Sequence, residues 1–121
     1  MSQLSEAVNA YLTAWNQREP EARSSAIAEI WSPFGTYIDP LAAVSGPAGL
    51  DQMIAAAQQQ FPTMAFVRGS LYEEHHNVAR FTWELVPRGG GEALAVGFDV
   101  VTVGDDGRIN AVVGFLDKVP G

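Results

Sequence analysis

The chain has 121 residues, 47% of them hydrophobic and 17% charged, and its seven basic and fourteen acidic side chains leave a net charge of −7. That size suits one domain, residues 1–121, and that composition excludes a disordered chain. Few, scattered basic groups argue against nucleic acid as a partner. The absence of cysteine excludes disulfides, thiolate catalysis and Cys-ligated metals, and two adjacent histidines are too few for a multi-His metal site.

Residues 3–18 read as an amphipathic helix, because Leu4, Ala7, Val8, Tyr11, Leu12 and Trp15 recur at helical spacing. Glu19-Pro20-Glu21 restarts the chain with a proline suited to a first helical turn. Ala26, Ile27, Ile30 and Trp31 then form the stripe of a second helix, which stops at Ser32-Pro33. Thr36 to Asp39 reads as a short strand closed by Pro40. Ser45-Gly46-Pro47 opens a third helix, with Leu50, Met53, Ile54 and Ala57 on one face, and Phe61-Pro62 ends it.

From there the pattern is that of strands. Met64 to Tyr72 is the first, and Glu73 to Asn77, with His75-His76, reads as a solvated turn. Ala79, Phe81, Trp83 and Leu85 then alternate with polar residues, which marks a strand buried on one face. Pro87 to Gly91 is a hairpin loop. It is not a phosphate loop, since no Lys-Ser/Thr follows. Glu92 to Val103 returns as a long strand, and Asp105-Asp106-Gly107 turns into a last one, Arg108 to Leu116. Helices first and a meander afterwards predict an α+β domain, with the helices packed on one face of a curved, mostly antiparallel sheet around an apolar pocket. The apolar stretch Leu94 to Val103 is too short to span a bilayer and contains Asp99. No signal peptide is visible at Met1 to Glu6, so a cytoplasmic protein without membrane contact is expected.

Two carboxylates and a phenol stand out. Asp99 is the lone charge in Ala95-Val96-Gly97-Phe98-Asp99-Val100-Val101. An ionised carboxylate buried there is costly, so it is paired with Arg68 or Arg80, hydrogen-bonded, or protonated. Asp39 closes a strand just before a proline, as an Asx-turn residue or as a presented acid. Tyr11 lies on the apolar stripe of the first helix and needs a polar partner. Of the large aromatic set, some residues fill the core and others line a cavity. The lining is expected from Trp15, Tyr37, Met53, Phe61, Trp83, Val101 and Phe115. Val96, Phe98, Val100, Val112 and Leu116 are expected on the opposite sheet face, where a second copy would cover them in a homodimer.

The first-helix run Tyr11-Leu12-Thr13-Ala14-Trp15-Asn16, the segment Tyr37-Ile38-Asp39-Pro40, the Gly46 to Ile54 helix start, the strand Gly97-Phe98-Asp99 and the turn Asp105 to Ile109 occur in a telling order. Together they resemble the nuclear transport factor 2-like superfamily, particularly its SnoaL-like and ketosteroid isomerase-like members. The resemblance covers nearly the whole chain. It implies a cone-shaped, barrel-like fold with a deep pocket, usually dimeric through the outer sheet face. By similarity to ketosteroid isomerase, Asp39 would shuttle a proton while Tyr11 and a protonated Asp99 form an oxyanion hole. The implied function is cofactor-independent acid–base chemistry, proton transfer next to the carbonyl of a small apolar substrate. The alternative is a non-catalytic domain of the same fold that binds a small ligand or a protein. SnoaL-type cyclases and limonene epoxide hydrolase-like members carry an acid within the last strand. Here Ala111 to Phe115 has none, which argues against those two chemistries.

Overall fold

The computed structural model describes residues 2–120. Helix α1 (Gln3–Asn16) starts where Ser2 Oγ accepts the Ser5 N–H at 2.9 Å. Helix α2 (Pro20–Ile30) starts where the Glu19 carboxylate accepts the N–H groups of Glu21 and Ala22, with proline at the first position. Strand β1 (Trp31–Ile38) follows without a loop. Trp31, expected on the second helix, is instead the first residue of this strand, and the strand begins earlier than Thr36. Its side chain is buried in either reading, so burial could not separate the two. A short strand β2 (Ala43–Ser45), not foreseen in the sequence, leads into helix α3 (Gly46–Gln60). Gly46 joins them at φ 76°, a conformation natural to glycine.

Four strands complete the chain: β3 (Met64–His75), β4 (Val78–Pro87), β5 (Ala95–Val103) and β6 (Ile109–Lys118). The expected turn at Glu73 to Asn77 is tighter than its sequence suggested. β3 continues to His75, which pairs with Val78, and His76 turns the chain at φ 51°. The sheet order is β2-β1-β6-β5-β4-β3, antiparallel throughout except for the parallel pair β1 and β6. Its ends do not meet, so the architecture is three helices on a curved, open, mostly antiparallel sheet. No described helix is long and apolar enough to cross a membrane.

The core lies between the helices and the concave sheet face. Val8, Tyr11, Ile27, Trp31, Leu50, Ile54, Phe81, Val101, Ile109 and Val112 are its fully buried large side chains. Antiparallel partners opposite one another share a sheet face. Gly97, Asp99 and Val101 stand opposite Leu116, Gly114 and Val112, so these six face inward together. Val112 and Leu116 therefore do not lie with Val96, Phe98 and Val100 on the outer face. Val113 and Phe115 do, opposite Val100 and Phe98. The register, displaced by irregularities at both ends of the β5–β6 pair, decides which residues of β6 face in, and counting along one strand does not supply it.

Candidate active site

A cavity of about 510 Å³ opens between α1, α3 and the inner sheet face, within the range usual for small-molecule sites. Its walls are mostly apolar, with Leu12, Met53, Phe61, Phe66, Leu85 and Leu116 among them. Its polar groups are few: Tyr11, Tyr37, Asp39, Gln60, Asp99 and the Trp83 indole. Among the described residues, no Lys, Arg or His lines it.

Sheet register gathers the acids. Tyr37 pairs with Val112 and Ile38 with Val113, so Asp39, one step on, comes up beside Gly114. Asp99 stands opposite Gly114 from the other side. A Cβ built on Gly114 would lie 2.8 Å from Asp99 Oδ1, 3.3 Å from Asp39 Cβ and 3.6 Å from Tyr37 Oη. The missing side chain is what lets three polar groups from β1 and β5 meet over β6.

Asp39 is held tightly. Its Oδ1 accepts the backbone N–H groups of Leu41 and Ala42, both at 2.8 Å, and its Oδ2 accepts the Tyr37 hydroxyl at 2.6 Å. This is an Asx-type turn and a presented acid at once, the two readings the sequence left open. Asp99 is only 4% exposed. The Trp83 indole N–H donates to its Oδ1 at 3.3 Å. Neither arginine reaches it: Arg68 bonds Ser5 and Asn9, and Arg80 pairs with Glu73. Burial pushes the Asp99 carboxyl up to about 7; the Trp83 bond opposes the shift and the Asp39 charge adds to it.

Tyr11 is buried, stacked on Trp31 and edge-on to Trp15, and its hydroxyl has no hydrogen-bond partner among the described residues. Burial first, then the neighbouring Asp99 charge, hold that phenol well above its ordinary pKa, so it remains a donor. Of the residues expected to line the pocket, Trp15, Tyr37, Met53, Phe61 and Trp83 do so. Val101 does not: it is fully buried in the core cluster. Phe115 does not either. It is 48% exposed on the outer face, stacked on Phe98 at 5.0 Å, because its partner Phe98 points outward. Phe66 and Leu116, not expected there, also face the cavity, and Tyr37 is more than wall, since its hydroxyl bonds Asp39. The i, i+2 spacing of Tyr37 and Asp39 on one strand face was the available signal.

The profile of the SnoaL-like domain family matches residues 8–112. The chain belongs to that family. Its fold is also that of solved SnoaL-like proteins. A candidate isomerase of the SnoaL-like family from Agrobacterium tumefaciens strain C58 is 39% identical, with 97% of this chain and 99% of that one covered at a TM-score of 0.89. A candidate SnoaL-like polyketide cyclase from Jannaschia sp. CCS1 is 17% identical, with 95% and 85% covered at 0.76. A candidate polyketide cyclase from Sinorhizobium meliloti is 18% identical, with 94% and 99% covered at 0.68. The last two likenesses concern the fold alone. No curated protein sequence matches. The SnoaL-like domain presented by this chain thus combines a familiar scaffold with an acid pair built over Gly114.

Proposed function

We propose that this SnoaL-like domain is a cofactor-independent acid–base enzyme that moves a proton next to the carbonyl of a small apolar compound. The observation that carries the reading is the inequality of two carboxylates on one apolar cavity. Asp39 accepts three hydrogen bonds at a turn on the cavity wall, whereas Asp99 is buried and burial favours its protonated form. Such a pair supplies a base and a hydrogen-bond donor at the same pH. Asp39 removes a proton from the carbon beside the carbonyl and returns it to another carbon. Tyr11 Oη and the Asp99 carboxyl O–H donate to the enolate oxygen while the charge is there. A cavity with no cationic group among the described residues suits an uncharged ligand. The relationship to a candidate isomerase at 39% identity agrees with this chemistry. We extend the proposal to a homodimer through the outer sheet face.

Hydrogen–deuterium exchange of an aromatic ketone in D₂O, followed by NMR, tests the reading. Asp39→Asn should abolish exchange and leave ketone binding largely intact, because only the base is lost. Tyr11→Phe should slow exchange by about 10–100-fold, the scale of removing one enolate donor. Full exchange activity in Asp39→Asn would remove Asp39 from the mechanism. Tight binding with no exchange in the wild type would favour a non-catalytic ligand-binding domain.

A further inference from the structure

The two oxygens of Asp39 are unequally committed. Oδ1 accepts two backbone N–H groups, which fills its acceptor sites, while Oδ2 accepts one bond, from Tyr37. One lone pair on Oδ2 is therefore left for a proton arriving from the cavity. We propose that Tyr37 is a positioning residue for Asp39: its hydroxyl fixes Oδ2 so that the remaining lone pair faces the substrate carbon. The inference rests on Asp39 being the base.

The local geometry suits Tyr37 to that task. Residues 37 and 39 point to the same side of an extended chain. Tyr37 is 5% exposed, and its ring packs on Trp15 at 6.2 Å, so the hydroxyl has little freedom. The 2.6 Å separation from Oδ2 is that of a charge-assisted O–H···O⁻ bond. Burial, then the bond to Asp39, raise the Tyr37 pKa, which keeps the hydroxyl a donor wherever the enzyme folds. The titratable groups that face this pair are Tyr11 from α1 and Asp99 from β5. β6 offers Gly114, and α3 offers the cavity no titratable side chain.

The proton balance is simple. The substrate C–H bond breaks, its electrons form the enolate, and the proton bonds to the free lone pair of Oδ2. Tyr37 keeps its own proton throughout. Without Tyr37 the carboxylate loses one hydrogen bond and one rotational restraint, so its orientation towards the substrate carbon changes.

The Tyr37→Phe variant of this chain tests this, with the kinetics of 2-tetralone exchange in D₂O measured at one pH beside carbon-13 spectra of the Asp39 carboxyl. The expected result is a kcat about tenfold lower with KM within about twofold, as for misplacement of a catalytic group. The Asp39 carboxyl carbon-13 resonance should also shift, because the carboxylate loses the Tyr37 hydrogen bond. A variant with the wild-type kcat, or with a changed KM alone, would overturn the proposal. If the wild type leaves 2-tetralone unexchanged, the reading of Asp39 as a base for such ketones fails. The carboxyl spectra then decide the role of Tyr37: an Asp39 carboxyl resonance that shifts in the variant upholds it, and one superposed on the wild type overturns it.

Discussion

At the scale of single residues, Asp99 ties chemistry to stability. Its folded-state pKa, raised by burial to about 7, lies above the value of about 3.9 expected in the unfolded chain. Between those values the folded state holds a proton that the unfolded state has released. Stability contributed by this group is therefore fully present below about pH 4 and is lost as pH rises towards 7. A shift of this size corresponds to up to about 4 kcal/mol. Asp99→Asn keeps the acceptor for Trp83 and cannot ionise, so it should melt higher than the wild type at pH 8, with the gap closing towards pH 4. Paired thermal melts across that range check the sign. A salt bridge to Arg68 or Arg80 would have required the opposite result, a variant destabilised near neutrality by a stranded arginine. In exchange activity Asp99→Asn should remain milder than Asp99→Ala, because an amide still donates where the protonated acid did. Gly97 belongs to the same construction. A Cβ there would lie 2.5 Å from both the Phe115 carbonyl oxygen and the Trp83 ring. Gly97→Ala should therefore displace the indole from Asp99, seen as a shifted and broadened indole N–H resonance.

At the scale of elements, the three helices are held in register by a buried polar cluster. Arg23 of α2 is 7% exposed, and its Nε donates to Asp51 of α3 at 2.6 Å. Its Nη1 donates to Gln58 Oε1 at 2.9 Å. The Gln58 amide in turn donates to the carbonyls of Trp15 and Gln17 at the end of α1. Arg18 then donates to the carbonyls of Gln58, Phe61 and Met64, which pins the start of β3 to the end of α3. Phe61 and Trp15 line the cavity, so this cluster sets one wall of the site. Arg23→Ala leaves Gln58 Oε1 without its donor and a partly exposed Asp51 with the Ser24 hydroxyl alone. It should cost about 2–3 kcal/mol, less than for a fully buried pair. Urea unfolding should show a lowered midpoint at an unchanged slope. Arg23→Met combined with Asp51→Leu should recover only part of the loss, since removing both charges removes their desolvation cost while Gln58 Oε1 still lacks its donor.

At the scale of the whole molecule, the sheet has helices on one face only. The other face carries the stacked Phe98 and Phe115 pair, with Ile38 46% and Phe115 48% exposed. Such an apolar surface invites a covering partner, and the proposed homodimer supplies it with a second copy. Light scattering at micromolar concentration should give a mass near twice 13.0 kDa. Phe115→Lys should return the monomer with its cavity and exchange activity intact, since Phe115 does not line the cavity. A monomeric wild type would leave that face without the partner proposed for it.

Much of this protein was legible without coordinates, for reasons of local physics. Helical periodicity placed α1 and α3, strict alternation placed β4, and Gly-rich or Asp-Gly turns separated the strands. Asp99 and Tyr11 were conspicuous because a polar group inside an apolar run must be accounted for, and Asp39 because a proline fixes the turn that follows it. What the chain could not show by itself was anything that depends on two strands being laid side by side. The displaced register between β5 and β6 turned Leu116 inward and Phe115 outward, against the parity expected from one strand alone. The parallel contact of β1 with β6 brought Asp39 beside Gly114, and so opposite Asp99, across sixty residues of sequence. Trp31 went to a strand because pairing with Ile109 buries it as well as a helix stripe would. Side-chain character is local and can be read along the chain. Which carboxylate meets which hydroxyl is settled by hydrogen bonds between distant backbones, and only the tertiary structure decides that.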